Sequence, residues 1–321
     1  MTKNFASIDV GTHTARLLIA QPAGRPDIIR PLFRKRTYIR LGEGFDRSGR
    51  KTIQSDAITR TIEALKAFSL DIEGFNVCHV IAVATGVVRE ASNRELLLGS
   101  IRENTGIAVR PLGGDEEALL TGKGVLHAIG VPEGPFVIFD LGGGSIEFLF
   151  CTGGTQVIRS IAIGAVTLTE GYLNWDPPQE EEISLLSEHI DRSLAVPPVA
   201  DPGESHNWPD DFVLVGTGGT VTTLAAMLHG IPAKDITPER INGLTLEGPK
   251  ILGLFDRMKR LSLEERIKLP GLDAGRAGVI LAGTLVVIRV LHFLRTSQMA
   301  VSLSDLLEGI LINYFEGEKD E

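Results

Sequence analysis

The sequence predicts a duplicated α/β protein, two copies of one sheet-and-helix unit with a cleft between them. Three observations carry that prediction. The first is the stretch Val137 to Glu147, in which the apolar run Val137-Ile138-Phe139 ends at Asp140. Leu141-Gly142-Gly143-Gly144 then turn the chain, and Ser145 to Phe150 leave as a second strand. The second is an earlier stretch of the same shape, Ala6-Ser7-Ile8, Asp9, Val10, Gly11, the polar turn Thr12-His13-Thr14 and a further strand; Asp9 to Arg16 repeats the spacing of Asp140 to Glu147. Such a repeat across two halves of a chain marks duplication. The third is a strand near Phe212 that runs through Gly216-Thr217-Gly218-Gly219-Thr220 into a helix, the strand–turn–helix unit of an α/β layer.

The elements follow in order. Phe5 to Val10 and Arg16 to Gln21 read as strands around the first turn, and Ile28 to Ile39 as a third. Leu41-Gly42-Glu43-Gly44-Phe45 is a loop, with glycines flanking one carboxylate. Ile58, Ile62, Leu65 and Phe68 recur at helical spacing, so Ser55 to Leu70 is a helix with Ser55 as its cap. Val77 to Ala84 is nearly all apolar, as a central strand would be. It ends in Thr85-Gly86-Val87-Val88-Arg89-Glu90, a loop entering a helix. Ile107 to Arg110 is a short strand, and Pro111 to Leu120 is a turn opening a helix whose buried side is Ala118, Leu119 and Leu120. In the second half, a strand from Val157 to Ile163 leads through Gly164 to Thr167 into a helix. Helices follow at Glu180 to Leu194, Val221 to Leu228, Leu246 to Leu261 and Leu272 to Leu294. Pro197 to Pro209 is a proline-rich surface connector, Met299 to Leu303 a last strand and Leu306 to Tyr314 a C-terminal helix.

The bulk numbers set bounds. The chain has 321 residues, enough for two domains, and its 43% hydrophobic and 23% charged content is that of a globular protein with real cores. A net charge of −9 gives the whole molecule no attraction for nucleic acid. Locally, nine basic residues (Arg25, Arg30, Arg34, Lys35, Arg36, Arg40, Arg47, Arg50 and Lys51) face only Asp27, Glu43 and Asp46 between Arg25 and Lys51, a patch able to attract a phosphate chain or simply a solvated strand face. The two cysteines, Cys78 and Cys151, sit in apolar segments and read as buried hydrophobes in a reducing compartment. Met1-Thr2-Lys3-Asn4 runs straight into a strand, so no signal peptide is expected. Arg289 and His292 interrupt the apolar stretch Ala277 to Leu294, which therefore reads as a buried helix rather than a membrane span. A cytoplasmic protein is expected.

Residue chemistry points to phosphate. Successive glycines leave amides uncovered for an anion, and Gly142 to Gly144 are such a turn. Asp140 and Glu147 bracket it, and carboxylates beside a phosphate cradle fit a divalent cation, Mg²⁺ first among them. In the first copy the matching far position is Arg16, a cation suited to phosphate. Gly216 to Thr220, at a helix N-terminus, is a second phosphate cradle. Arg89, at the carboxyl end of a central strand, is a phosphate clamp or a surface partner of Glu90 or Glu95. Asp115, Glu116 and Glu117 open a helix, where carboxylates are favoured without any function; one of them facing the cleft could act as a general base. Glu116 and Glu117 lie about 100° apart around a helix, so only one can point inward.

With these pieces in place the chain resembles the exopolyphosphatase / guanosine pentaphosphate phosphohydrolase family, of the actin-like superfamily, over nearly its whole length. The matching stretches are Ile8 to Arg16, Arg40 to Gly44, Ala84 to Asn93, Gly114 to Ala118, Asp140 to Glu147 and Gly216 to Thr220. The resemblance implies two actin-like, ribonuclease H-like domains with an interdomain cleft. They would cover residues 1–125 and 126–303, with a C-terminal helix at about 304–321 packing back on the first. It assigns Glu117 as catalytic base, Asp140 and Glu147 to the metal and attacking water, and Arg16 and Arg89 to phosphate. Thr12, His13, Thr14, Ser145 and the two glycine turns would complete the phosphate contacts, and Asp9 would join Asp140 and Glu147 around Mg²⁺ or another divalent cation. A homodimer is expected by likeness. The chain departs from the family pattern in three places. Thr12-His13-Thr14 stands for Ser-Asn-Ser, and Gly86 for a serine. Ser302-Leu303-Ser304-Asp305-Leu306-Leu307-Glu308-Gly309 stands for roughly Ser-Asp-x-Gly-Leu-Arg-Glu-Gly.

The reaction so implied is hydrolysis of a terminal phosphoanhydride of inorganic polyphosphate or guanosine pentaphosphate, with the tetraphosphate as a further ligand. Domain closure would exclude water, and the phosphates, metal and arginines would offset developing charge. Two alternatives stand beside it. One is an actin-like ATP-dependent kinase for a small hydroxyl acceptor, which the Gly-Asp-Glu-Glu-Ala helix start fits less well. The other is a non-catalytic polyphosphate or alarmone sensor using Arg25 to Lys51.

Overall fold

Residues 3–24, 28–45, 49, 51–195 and 211–317 are described by a computed structural model. Arg25, Arg47, Arg50, Asp27, Asp46 and the connector Pro197 to Pro209 lie outside the described residues. The chain divides into two units, Met1–His127 with Asp305–Glu321, and Ala128–Ser304.

The first unit is built outward from β1 (Asn4–Val10), which pairs antiparallel with β2 (Thr14–Pro22), and β2 with β3 (Ile29–Tyr38). Helix α1 (Ser55–Gly74) returns the chain to β4 (Val77–Ala84), parallel to β1. Then α2 (Val87–Glu90), α3 (Arg94–Thr105), β5 (Val109–Pro111) and α4 (Gly114–Ile129) follow, giving the sheet order β3-β2-β1-β4-β5. Alternation decides the faces. Ala6, Ile8 and Val10 with Ala15, Leu17 and Ile19 pack on α1 and α3 through Leu65, Phe68, Leu97 and Ile101. Each such fully buried large side chain contributes about 2 kcal/mol of transfer free energy. Phe5, Leu18 and Ala20 face the other way, and so do Asp9 and Arg16.

The second unit repeats this plan. Strands β6 (Phe136–Leu141), β7 (Ile146–Thr152) and β8 (Thr155–Ile161) are antiparallel neighbours. Helices α5 (Ala165–Tyr172) and α6 (Glu180–Leu194) precede β9 (Val213–Thr217), parallel to β6. Next come α7 (Gly219–Leu228), α8 (Pro238–Ile241), β10 (Thr245–Glu247), α9 (Gly248–Met258), α10 (Leu263–Arg266), α11 (Ile280–Phe293) and β11 (Gln298–Val301). The sheet order β10-β11-β9-β6-β7-β8 matches the first sheet strand for strand, with β10 added at the edge. Val137, Phe139 and Leu141 with Ile146, Phe148 and Phe150 join one core with α6, α7, α9 and α11, which sends Asp140 and Glu147 to the opposite face. The chain ends in α12 (Leu306–Gly317), whose Leu307, Leu311, Ile312 and Phe315 cover the Asp9 face of the first sheet. The order 3-2-1-4-5 with β2 reversed, present twice, is the ribonuclease H-like plan of an actin-like protein.

Several sequence expectations need correction. Ser55 is the first residue of α1; Gln54 precedes it as N-cap without a side-chain hydrogen bond. Cys78 is exposed, because β5 pairs only with Ala82 to Ala84 and leaves the start of β4 open. Leu119 is 39% exposed, since the apolar side of α4 runs through Ala118 and Leu120. The helix expected from Leu246 starts at Gly248 after the strand β10, and the one expected from Leu272 starts at Ile280 after a 3₁₀ turn at Ala274–Arg276. Helix α11 is buried as expected, and none of the described helices is long and apolar enough to cross a membrane.

Candidate active site

In the first unit the cross-strand row through β1 and β2 places Asp9 opposite Arg16. Arg16 donates from Nε and Nη2 to Asp9 Oδ2 at 3.0 and 2.8 Å, and from Nη1 to Asp305. Thr85 Oγ1 donates to Asp9 Oδ1 at 3.1 Å. Burial pushes the Asp9 carboxyl above its ordinary range, against the pull of Arg16. Asp9, expected as a metal ligand, is thus the carboxylate partner of an arginine, with both oxygens engaged inside the protein. The turn after it is tied to itself. Gly11 N donates to Thr14 O at 3.0 Å, and the His13 carbonyl accepts the amides of Ile39 and Arg40. The His13 ring stands edge-on to Tyr38 at 5.2 Å. Thr12 Oγ1 accepts the Val87 amide at 3.0 Å. The departure at Gly86 has a steric reason: with φ of +56°, a Cβ there would lie 2.1 Å from Thr12 Oγ1.

Arg89 on α2 reaches neither Glu90 nor Glu95. Its Nη1 donates to Glu117, while Glu90 pairs with Lys51 and Glu95 with Arg94. The structure also separates the two acids that sequence left as alternatives. Glu117 is 7% exposed. Glu116 lies at the surface in a bidentate pair with Arg110 at 2.8 and 2.7 Å, and that hydrogen bonding holds its carboxyl below the ordinary range. The inward acid and the expected phosphate clamp therefore meet.

In the second unit Asp140 and Glu147 are register partners on β6 and β7, the same rung that holds Asp9 and Arg16 in the first. Glu147 Oε1 accepts Ser145 Oγ at 2.7 Å and Ser160 Oγ at 2.8 Å, so Ser145 positions a carboxylate. The glycine turn divides its labour. Gly142 N closes the turn on Ser145 O at 3.0 Å, so that amide is not offered to an anion. The carbonyls of Gly142 and Gly143 accept the first amides of α5, from Ala165, Val166 and Thr167. Among the described residues the amides of Gly143 and Gly144 donate to nothing. A Cβ on Gly164 would fall 2.2 Å from Gly143, which is why a glycine stands at the N-cap of α5.

The second glycine turn is also split. Gly216 is a strand residue whose missing side chain is filled by Phe139 and Met299, 2.8 and 3.0 Å from a hypothetical Cβ. Thr220 packs on Gly283 of α11. Both serve packing. Thr217, the register partner of Asp140, is fully buried and its Oγ1 has no hydrogen-bond partner. Gly218, at φ of +94°, brings the backbone so close that a Cβ would lie 2.7 Å from Asp140 Oδ1. Gly219 has the guanidinium of Arg276 against it, 1.7 to 2.0 Å from a hypothetical Cβ. Sequence reading passed over Arg276; its signal was a lone cation in the small-residue stretch Asp273-Ala274-Gly275-Arg276-Ala277-Gly278 before a long apolar helix.

The fit of these groups to a divalent cation can be tested on the donors themselves. Among the described residues no cluster of three or more acidic, histidine or cysteine side chains could hold a metal alone. Asp140 and Glu147 offer two carboxylates beside an orphaned hydroxyl and unused amides. That set fits Mg²⁺, which takes one or two carboxylates and shares the rest of its shell with water and phosphate.

Comparison with known proteins bears on the family of the chain. The model of the Ppx/GppA phosphatase family matches residues 18–317. Exopolyphosphatase 2 of Mycobacterium tuberculosis is 31% identical, over 96% of this chain and 97% of its own. Exopolyphosphatase 1 of Mycobacterium bovis is 30% identical, over 98% and 88%. Among solved structures, a Ppx/GppA family member of Aquifex aeolicus superposes with a TM-score of 0.78 at 32% identity, covering 99% of each chain. An exopolyphosphatase of Cytophaga hutchinsonii gives 0.86 at 27% identity, covering 98% of each. Taken with the twice-repeated sheet and the paired acids, the match over nearly the whole length shows that the chain belongs to the Ppx/GppA phosphatase family.

Proposed function

We propose that this chain hydrolyses the terminal phosphoanhydride of inorganic polyphosphate, with Glu117 readying the attacking water. The observation that carries this reading is the contact between Arg89 and Glu117, a buried carboxylate joined to a cation. An incoming phosphate would draw Arg89 away and leave the carboxylate to a water molecule. The amides of Gly143 and Gly144 and the hydroxyl of Thr217 would hold phosphate oxygens, with Gly218 and Gly219 keeping the backbone open for them. Arg16 and Arg276 would add fixed positive charge. Asp140 and Glu147 would hold Mg²⁺, which when bound offsets charge on the phosphate oxygens. The names of the two mycobacterial relatives support polyphosphate, and the two free thiols fit a cytoplasmic setting.

Phosphate release from long polyphosphate, tripolyphosphate and guanosine pentaphosphate, each with and without Mg²⁺, tests the reading. Release from polyphosphate that stops on chelation is expected. Release from guanosine pentaphosphate alone would move the substrate to the alarmone. Acceptor-dependent loss of ATP would select a kinase, and binding without any turnover a sensor.

Ser145 and Ser160 give a second test. Both donate to Glu147, and support of this kind is typically worth about 10-fold or more in metal affinity. The Ser145→Ala, Ser160→Ala double variant should need about 10-fold more Mg²⁺ for half-maximal rate, with little change in the rate at saturation. An unchanged Mg²⁺ requirement would remove Glu147 from the metal.

A further inference from the structure

The start of α12 departs most from the family pattern, and the structure gives that departure a partner. Asp305 stands where the pattern has glycine. Strand alternation points Arg16 at this helix terminus, where its Nη1 meets Asp305 while Nε and Nη2 meet Asp9. The Asp305 side chain is 4% exposed and that of Arg16 is 23% exposed. Asp305 is itself held firmly. Its amide donates to Glu308 Oε2 at 3.0 Å and its Oδ1 accepts the Leu307 amide at 3.4 Å, the reciprocal pattern of a capping box. Glu308 also accepts from Arg34. Arg34 pairs with Glu308, while Arg16 binds the two buried carboxylates of Asp9 and Asp305 at once.

We propose that Asp305 is a specificity-determining residue: its carboxylate competes with incoming phosphate for Arg16 and so disfavours short polyanions. The inference rests on the reading that Arg16 meets phosphate. A long chain has many further phosphates with which to offset the competition, and a short one has few. The effect belongs in KM, because Asp305 acts through Arg16 and touches no reacting atom.

Asp305→Ser removes the charge and keeps a cap acceptor for the Leu307 amide. Losing one charge-assisted competitor should lower KM for tripolyphosphate about tenfold. KM for long polyphosphate should change less than about twofold, with kcat unchanged. In an Arg16→Ala background the substitution should do nothing, the signature of a coupled pair. A KM for tripolyphosphate that stays or rises, or that falls equally without Arg16, would overturn the proposal. Should Asp305→Ser fail to fold, Asp305→Asn is measured in the same way. Calorimetric binding of tripolyphosphate in a Glu117→Gln background separates the two readings. Tighter binding with no phosphate release by the unmodified chain would sink the hydrolase and keep this inference; release without tighter binding would sink this inference alone.

Discussion

Replacing Glu117 by glutamine is expected to lower phosphate release about 10³-fold and leave the fold intact, as removal of a positioned general base does. Glutamine keeps the size of the side chain and an oxygen that can still accept from Arg89, so the contact survives while the basicity is lost. That choice matters because Glu117 is 7% exposed and Arg89 is its neighbour. Truncating Arg89 instead would strand a buried carboxylate, and the resulting instability would cloud any rate. Glu116 supplies the control. It is adjacent in sequence, equally acidic and directed to the surface, where it is bound to Arg110. Glu116→Gln should stay within about twofold of the unmodified rate, as for an exposed pair worth little. Single-turnover phosphate release, with circular dichroism to confirm folding, decides the matter. A loss below about tenfold in Glu117→Gln would remove it as base.

Much of this was legible because strands count in twos. The equal spacing from Asp9 to Arg16 and from Asp140 to Glu147 became an equal register in both sheets, and alternation put each pair on the face away from the main core. Glu117 could be narrowed to one of two acids by helix geometry alone. What stayed hidden depends on partners far along the chain. No local pattern says that Asp9 is enclosed by Arg16 and Thr85, or that Gly216 is empty to admit Phe139 and Met299. A glycine kept for packing and a glycine kept for an anion look the same in sequence. Arg276 is hidden for a related reason: a single cation acquires meaning only through the room that Gly219 makes for it. Cys78 departs from its apolar surroundings because a strand's burial depends on how far its neighbour extends, and β5 is short.

The same distinction predicts the largest stability effect, which falls on Gly309. Helices α4 and α12 approach so closely that a Cβ on Gly309 would lie 1.7 Å from Leu120 O, and one on Gly124 would lie 1.9 Å from Asp305 O. Those are backbone atoms, which cannot rotate aside as a side chain would, so a methyl group must push one helix off the other. Around the crossing Leu306 and Ile310 pack with Val83, Leu112 and Leu120, and Ser7 Oγ donates to Leu307 O at 2.8 Å. Overpacking of this kind costs about 3 kcal/mol. At roughly 2–4 °C per kcal/mol for a unit of this size, Gly309→Ala should lower the melting temperature of the first unit by about 10 °C. Gly253, inside α9 of the second unit, provides the opposite sign: a Cβ there meets nothing within 4 Å. Gly253→Ala should raise stability by up to about 1 kcal/mol through helix propensity alone. Differential scanning calorimetry of both variants tests the pair together. Equal melting for Gly309→Ala and the unmodified chain would mean that α12 does not seat on α4 as described. Because α12 opens with Asp305 against Arg16, a displaced helix should also weaken the hold on Arg16, so the Gly309 variant should share the lower KM for tripolyphosphate expected of Asp305→Ser.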